Sequence, residues 1–293
     1  MKNTVFSLTA LTMATLLAGC GTVGVVQAPQ KETKAMAQEL KNAKKVTMMS
    51  YNIRTGFGDE KQGWYRFPKD YLGYLPQVAR VIRETKPTWV AIQEVDNGMH
   101  RTGFVDQMYV LGLLTEMKGF FMDKTSFGEP IGHYGLGLLL KKEPISLKKL
   151  ELGGPPKDHM RILFAAELED AIVCTTHFSL HRENRIKAVE LIKKEFAGTT
   201  KPVFIAGDFN TDQDSPEGRS LEEAFKPLNP RGTMTFPSHN PNCDIDHIYV
   251  DNAHSNLVQV LSVATPDIDT CATDHRPLVI KALVGTNAPK AQE

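Results

Sequence analysis

Apolar positions along the chain follow two periods, and they alternate in blocks. Short runs rich in β-branched and aromatic residues predict strands at "KVTMMSYNI" (45–53), "TWVAIQEV" (88–95), 118–122, 135–141, 145–151, 161–168 and 171–177. Four more follow: "PVFIAGDF" (202–209), "DIDHIYV" (244–250), "LVQVLSVA" (257–264) and "PLVIKAL" (277–283). Helical spacing interrupts them three times. Residues 71–86 carry Val78, Val81 and Ile82 at helix spacing and stop before Pro87. Residues 105–117 form a second helix. Residues 182–196 are amphipathic, with Ile186, Val189, Ile192 and Phe196 expected on the buried face. Consecutive strands outnumber strict strand–helix alternations. That order predicts mixed or antiparallel sheets with helices on their outer faces. No Pro-, Gly- or Ser-rich linker and no repeat divides residues 46–284, so they read as one domain. The polar tail 285–293 is expected to be disordered.

The N-terminus has a different pattern. "MKNTVFSLTALTMATLLAGC" joins a positive start, Lys2, to an apolar stretch from Val5 to Leu17 that is too short for a bilayer span of ~30 Å. It predicts a secretory signal peptide over 1–20. The run Leu17-Ala18-Gly19-Cys20 resembles a bacterial lipobox, with Cys20 as the lipidated residue and membrane anchor; an ordinary leader with an incidental cysteine is the alternative. Residues 21–45 then serve as a tether carrying five lysines, with room for a short amphipathic helix around Glu32–Ala43. This places the protein in the bacterial cell envelope, on the periplasmic or extracellular face.

Composition changes the picture in two ways. Lys+Arg and Asp+Glu both number 34, a formal net charge of zero, so the chain lacks the broad basic footprint of a duplex-DNA binder. A local basic groove stays open, because net charge averages over the surface. An exported chain with Cys174, Cys243 and Cys271 also invites a disulfide. Cys174 lies in a strand-like run and is expected to be buried. Cys243 and Cys271 lie in loops, where a disulfide and two separate thiols are equally compatible with the sequence.

Most predicted strands end in a polar residue that packing does not require. Asn52, Glu94, His177, Asp208, Asn210, Asp246, His247, Asp274 and His275 all sit at such ends. Singly, each has an ordinary explanation as a turn residue, a solvated acid or a structural histidine. Strand ends in a layered α/β protein converge on one edge, however, and sites are built there. Asn52, Glu94, Asp208, Asn210, Asp246 and Asp274 supply hard oxygen donors suited to Mg2+ or Mn2+. With His177 and His275 beside them, the set fits phosphoryl chemistry.

The motifs "MSYNIR", "IQEV", "YGLGLLLKKEPI", "TTHF", "GDFN", "IDHIYV" and "TDHRP", in that order over residues 46–283, resemble the endonuclease/exonuclease/phosphatase (DNase I-like) superfamily, in particular its bacterial metal-dependent hydrolase branch. The resemblance implies a four-layer αββα sandwich of two packed mixed sheets and a Mg2+- or Mn2+-dependent phosphoesterase. It implies Glu94 as the main metal ligand, helped by Asn52 and Asp274. It implies His275 as general base with Asp246 orienting it, Asp208 and Asn210 positioning water and phosphate, and His177 contacting the phosphate. Arg161 is carried over more softly as a phosphate-facing residue, Tyr134 and Arg54 more softly still. The residue before "ID" is often basic in close relatives; here it is Asp244, which weakens any polyanion grip on that side. A small or lipid-derived phosphoester and a monomeric enzyme are therefore expected, with nucleic acid disfavoured as partner. An envelope nuclease and a catalytically silent binding lipoprotein are the alternatives. The intact set of site residues argues against the silent one. Loops 55–70 and 211–219 are candidates for substrate contact or plain surface excursions.

Overall fold

The structure is a computed structural model, and it describes residues 43–59, 72–124, 132–154 and 160–285. Cys20, the leader, the tether up to residue 42, residues 60–70 of the first candidate loop and the tail from residue 286 lie outside the described residues.

The described residues form β1 (Lys44–Asn52), α1 (Leu75–Thr85), β2 (Trp89–Asn97), α2 (Gln107–Thr115), β3 (Lys118–Asp123), β4 (His133–Leu140), β5 (Ser146–Gly153) and β6 (Arg161–Glu167). There follow β7 (Ile172–His177), α3 (Arg182–Glu195), β8 (Val203–Asp208), α4 (Pro216–Glu222), β9 (Phe225–Pro227), β10 (Asp246–Asp251), β11 (Val258–Ala264) and β12 (Leu278–Val284). They build two six-stranded sheets, ordered β11-β12-β1-β2-β4-β3 and β5-β6-β7-β8-β10-β9. Each sheet contains one parallel pair, β1–β2 and β7–β8, among antiparallel neighbours. Both parallel pairs run toward the same edge of the sandwich.

Three apolar clusters explain the layering. Between the sheets, Met48, Trp89, Leu136 and Leu138 of the first meet Ile162, Phe164, Val173, Phe204 and Ile248 of the second. The opposite face of the first sheet, with Met49, Tyr51 and Val90, packs on Val78, Ile82 and Leu111 of α1 and α2. The outer face of the second, with Leu163, Cys174 and Ile205, packs on Val189 and Ile192 of α3 and Leu221 of α4. Helix, sheet, sheet and helix layers follow, as the motif order implies. Both faces of the central strands are buried, so they read as continuous apolar runs.

Three local expectations change. Helix α1 begins at Leu75 rather than residue 71, because Pro76 occupies the first turn, where its missing N–H has no intrahelical partner to lose. On α3, Ile186 is 43% exposed; the buried stripe is Ala188, Val189 and Ile192. At 3.6 residues per turn, Ile186 lies roughly 100° from the centre of that stripe. The 211–219 stretch is not a free loop. Ser215 caps α4 by accepting from the Gly218 N–H, and buried Glu217 pairs with Arg185 at 2.7 Å. Cys174 is buried as expected. Cys243 and Cys271 are free thiols, so the disulfide alternative is not formed.

Candidate active site

Strand register sets the first row of the site. In the parallel β7–β8 pair His177 lies opposite Asp208, and in the antiparallel β8–β10 pair Asp208 lies opposite Asp246. Two carboxylates facing each other across buried strands repel. A fold built for stability alone would avoid that pairing, which points to a charge that the row is meant to meet. Asn210 follows with φ 51°. Its N–H donates to Asp208 Oδ1 at 2.9 Å, and its Nδ2 donates to the Phe178 carbonyl at 3.0 Å.

The other sheet supplies the facing residues. Asn52 ends β1 opposite Gln93 on β2. The β2–β4 register then slips between Ile92 and Val95, and Glu94 sits inside the irregularity at φ 58°. A bulge re-aims a side chain, and a non-glycine residue at positive φ stores strain of the kind found at functional sites. Asn52 joins the sheets. Its Nδ2 donates to Glu94 Oε1 at 3.0 Å and to Asp208 Oδ2 at 3.1 Å, while its Oδ1 accepts the Arg54 N–H at 3.0 Å.

The segment entering β12 completes the group. His275 Nδ1 donates to Asp246 Oδ2 at 2.8 Å, and its Nε2 faces Asp208 Oδ2 at 3.7 Å. Thr235 Oγ1 donates to the same Asp246 oxygen at 2.6 Å, and the Phe236 ring lies 4.9 Å from the imidazole. Asp274 turns instead toward Arg54, with Nε 3.2 Å from its Oδ2. His177 Nε2 is 3.6 Å from Asp208 Oδ2.

Burial and charge compete at each titratable group. At His275 burial lowers the pKa, but the charge and hydrogen bond of Asp246, then Asp208 and Asp274, outweigh it and raise it to about 10. Burial and the Asp246 charge raise Asp208 to about 7. Burial, reinforced by Glu94, also raises Asp274 from the usual aspartate value. His177 is pushed well below its usual value by burial and by Lys124, Arg161 and His275, so it is a neutral imidazole. Arg161 opens β6 and reaches the His177 carbonyl at 3.5 Å, and the Lys124 ammonium lies 4.7 Å over the Tyr134 ring. Together they make a positive wall beside His177.

These shifts have a consequence for stability. With divalent cations chelated, the folded chain keeps the His275 proton up to about 10, whereas the unfolded imidazole releases it near 6.5. That contribution is complete below pH 6.5 and disappears as pH rises toward 10. Urea unfolding in EDTA should therefore give a lower free energy at pH 9.5 than at pH 6, and His275→Gln should flatten the difference. An unchanged slope in His275→Gln would remove His275 as its source.

The residues present fit a hard divalent cation. Glu94 Oε2 and Asp246 Oδ1 are buried and accept no hydrogen bond among the described residues. Unmatched buried carboxylate oxygens are costly unless positive charge meets them. Ligand atoms of Asp208, Asp246 and His275 all lie within 4.8 Å of one another. Glu94 is linked to this trio through the Asn52 amide rather than standing inside it.

All strand-end residues named from the sequence therefore gather at this edge except His247. Its Nε2 faces the Thr211 carbonyl at 2.9 Å, and its ring packs against Phe209 and Tyr249 in a structural role. Sequence reasoning missed Lys124, Thr235 and Phe236, because nothing local marks a lysine after a strand or a "TF" pair in a loop. An apolar cleft of about 480 Å3, lined by Trp89, Leu140, Val173 and Phe204, opens at the opposite end of the sandwich and takes no part in this site.

The family model described as the Endonuclease/Exonuclease/phosphatase family matches residues 49–275. The chain belongs to that family, which makes it a hydrolase of the phosphatase or nuclease type. No curated protein sequence matches it significantly. Among solved structures, it is similar to an endonuclease/exonuclease/phosphatase family protein from Bacteroides thetaiotaomicron, at 14% identity and TM-score 0.65 over 86% of this chain and 99% of that one. It is also similar to a mannosyl-6-phosphatase from Bacteroides thetaiotaomicron, at 16% identity and TM-score 0.62 over 81% and 99%. A third is ANGEL2, a 2′,3′-cyclic phosphatase, at 13% identity and TM-score 0.61 over 83% and 96%. At these identities the likeness establishes the fold.

Proposed function

We propose that the protein is a divalent-cation-dependent phosphoesterase acting on a small or lipid-derived phosphoester. One observation carries the reading: buried Asp208 and Asp246 face each other, with orphaned oxygens on Glu94 and Asp246 and an imidazole between them. Mg2+ or Mn2+, held by Glu94 with Asp208 and neighbouring carboxylates, would supply positive charge to the phosphoryl oxygens. The remaining work falls to the chain's own groups. Asp246 fixes the His275 tautomer by accepting from Nδ1, which directs Nε2 toward the position of an attacking water. His275 can take a proton only once its raised pKa comes down, which requires the Asp208 and Asp246 charges to be met by positive charge other than its own. Asp208 and Asn210 orient the water. Neutral His177 donates to a phosphoryl oxygen, and Arg161 with Lys124 stabilises the charge that develops there.

Three considerations support the substrate class. The chain has zero net charge and so lacks the broad basic footprint of a duplex-DNA binder. Two structural neighbours are named as phosphatases of a sugar phosphate and of a cyclic phosphate. The Leu-Ala-Gly-Cys20 run would anchor the enzyme in the bacterial envelope, away from chromosomal DNA. The test is a panel of bis-aryl phosphate, aryl monophosphate, sugar phosphate, phospholipid, DNA and RNA with Mg2+ or Mn2+. Hydrolysis that EDTA abolishes is expected, fastest on a non-nucleic substrate and in the membrane fraction of expressing cells. Faster cleavage of DNA or RNA would select the envelope nuclease; no hydrolysis of any substrate would sink the enzyme reading.

A further inference from the structure

Outside the catalytic row, the described residues bring together one more set of metal-ligating side chains. Asp59, in the segment after β1, has its carboxylate 4% exposed, and its Oδ2 lies 2.7 Å from Nε2 of His239 in the loop before β10. The exposed thiol of Cys271, just before β12, completes the set, and the three ligand atoms all lie within 4.8 Å of one another. The donors come from three segments far apart in sequence, and they differ in kind from those of the catalytic row. One carboxylate oxygen, one imidazole nitrogen and one thiolate suit a borderline-soft ion, not Mg2+. His239 is 38% exposed, so the group opens to solvent and an ion has an entry path.

The three segments are already joined by other bonds. Gly58 and Thr273 form an isolated parallel bridge. The Ser238 N–H donates to the Asp274 carbonyl at 2.7 Å, and Ser238 Oγ donates to the Thr270 carbonyl at 2.9 Å. Arg54 donates to the carbonyls of Gly58 and Asp59 and pairs with Asp274. This scaffold holds the three ligands near one point without an ion, so little chain ordering is needed on binding. It also connects them to Asp274 and His275, three and four residues beyond Cys271.

We infer that Asp59, His239 and Cys271 form a second metal site, specific for Zn2+ or a similar borderline ion, that clamps the rim of the catalytic site. Three protein ligands leave a fourth position open to water. The ion ties the turn before β12 to the segment after β1. This proposal does not depend on the phosphoesterase reading, because binding is measured without substrate.

The experiment is Zn2+ titration of the full chain in competition with a chromophoric chelator. It is repeated in Asp208→Asn so that the oxygen-rich row does not contribute. One tight equivalent per chain is expected in both. Cys271→Ser and His239→Ala should each weaken it at least tenfold. Co2+ in the same site should give a thiolate-to-metal charge-transfer band that Cys271→Ser abolishes. Cys271 is exposed, so its replacement leaves the fold intact even if His239→Ala does not. Zn2+ that disappears with Asp208→Asn and is untouched by Cys271→Ser would overturn the proposal, as would a Co2+ complex without the thiolate band.

Discussion

Replacing His275 by alanine is expected to lower phosphoester hydrolysis by roughly 10²–10⁴-fold, the usual contribution of a general acid–base group. The loss should appear in kcat, with circular dichroism unchanged. The imidazole is not a member of the three apolar clusters that layer the sheets and helices. Its bonds go to Asp246 and toward Asp208, both at the sandwich edge. Asp246→Asn should reproduce part of the loss, since an amide at that position no longer fixes the Nδ1 proton, and Thr235 would have to share what remains. Wild-type rates in His275→Ala would show that another group activates water and would reject the assignment.

Glu94→Gln should separate function from stability with opposite signs. Hydrolysis should need at least roughly tenfold more divalent cation, because a charged oxygen ligand becomes an amide. The cation-free fold should become more stable. Glu94 Oε2 is a buried acceptor without a partner among the described residues, and its charge raises the pKa of nearby Asp274. Glutamine keeps the Oε1 contact with Asn52 and removes the charge at the unmatched position, leaving a neutral amide there. An unmatched buried group that is charged costs more than the roughly 1–3 kcal/mol of a neutral one, so loss of the charge is a net relief. Relief of even 1 kcal/mol corresponds to a melting temperature higher by about 2–4 °C for a domain of this size. Thermal melts in EDTA, paired with cation titration of activity, read the two effects independently. A lower melting temperature with unchanged cation dependence would assign Glu94 a purely structural role. Strain at its positive φ supports the functional role, since strain of this kind is kept where a side chain must be aimed.

Local pattern marks buried strands more clearly than helix ends or distant contacts. Strands with both faces buried were legible because apolar runs bounded by polar residues leave few alternatives. Helix starts were less so: helical spacing gives residue 71 for α1, whereas Pro76 sits in the first turn of a helix that begins at Leu75. Ile186 shows the limit of periodicity on α3, where Ala188 takes the place against the sheet. Strand-end carboxylates stood out because burial of Asp or Glu needs a reason. Lys124 did not, because a lysine counts as solvated until tertiary structure buries it. Asp59, His239 and Cys271 were invisible as a group for the same reason. Each is ordinary in its own segment, and only chain crossing puts them together.

Among the described residues, the sequence by itself determined every long strand, three of the four α-helices and the family resemblance; the short β9 and α4 escaped it. These follow from local period and from motif order. Tertiary structure alone decided which polar ends meet. The register of β7, β8 and β10 aligns His177, Asp208 and Asp246, and sheet-on-sheet packing lets Asn52 bridge Glu94 to Asp208. Such contacts join residues far apart in sequence, 156 positions in the case of Asn52 and Asp208. Their energies depend on distances and on exclusion of water, which a linear pattern does not encode.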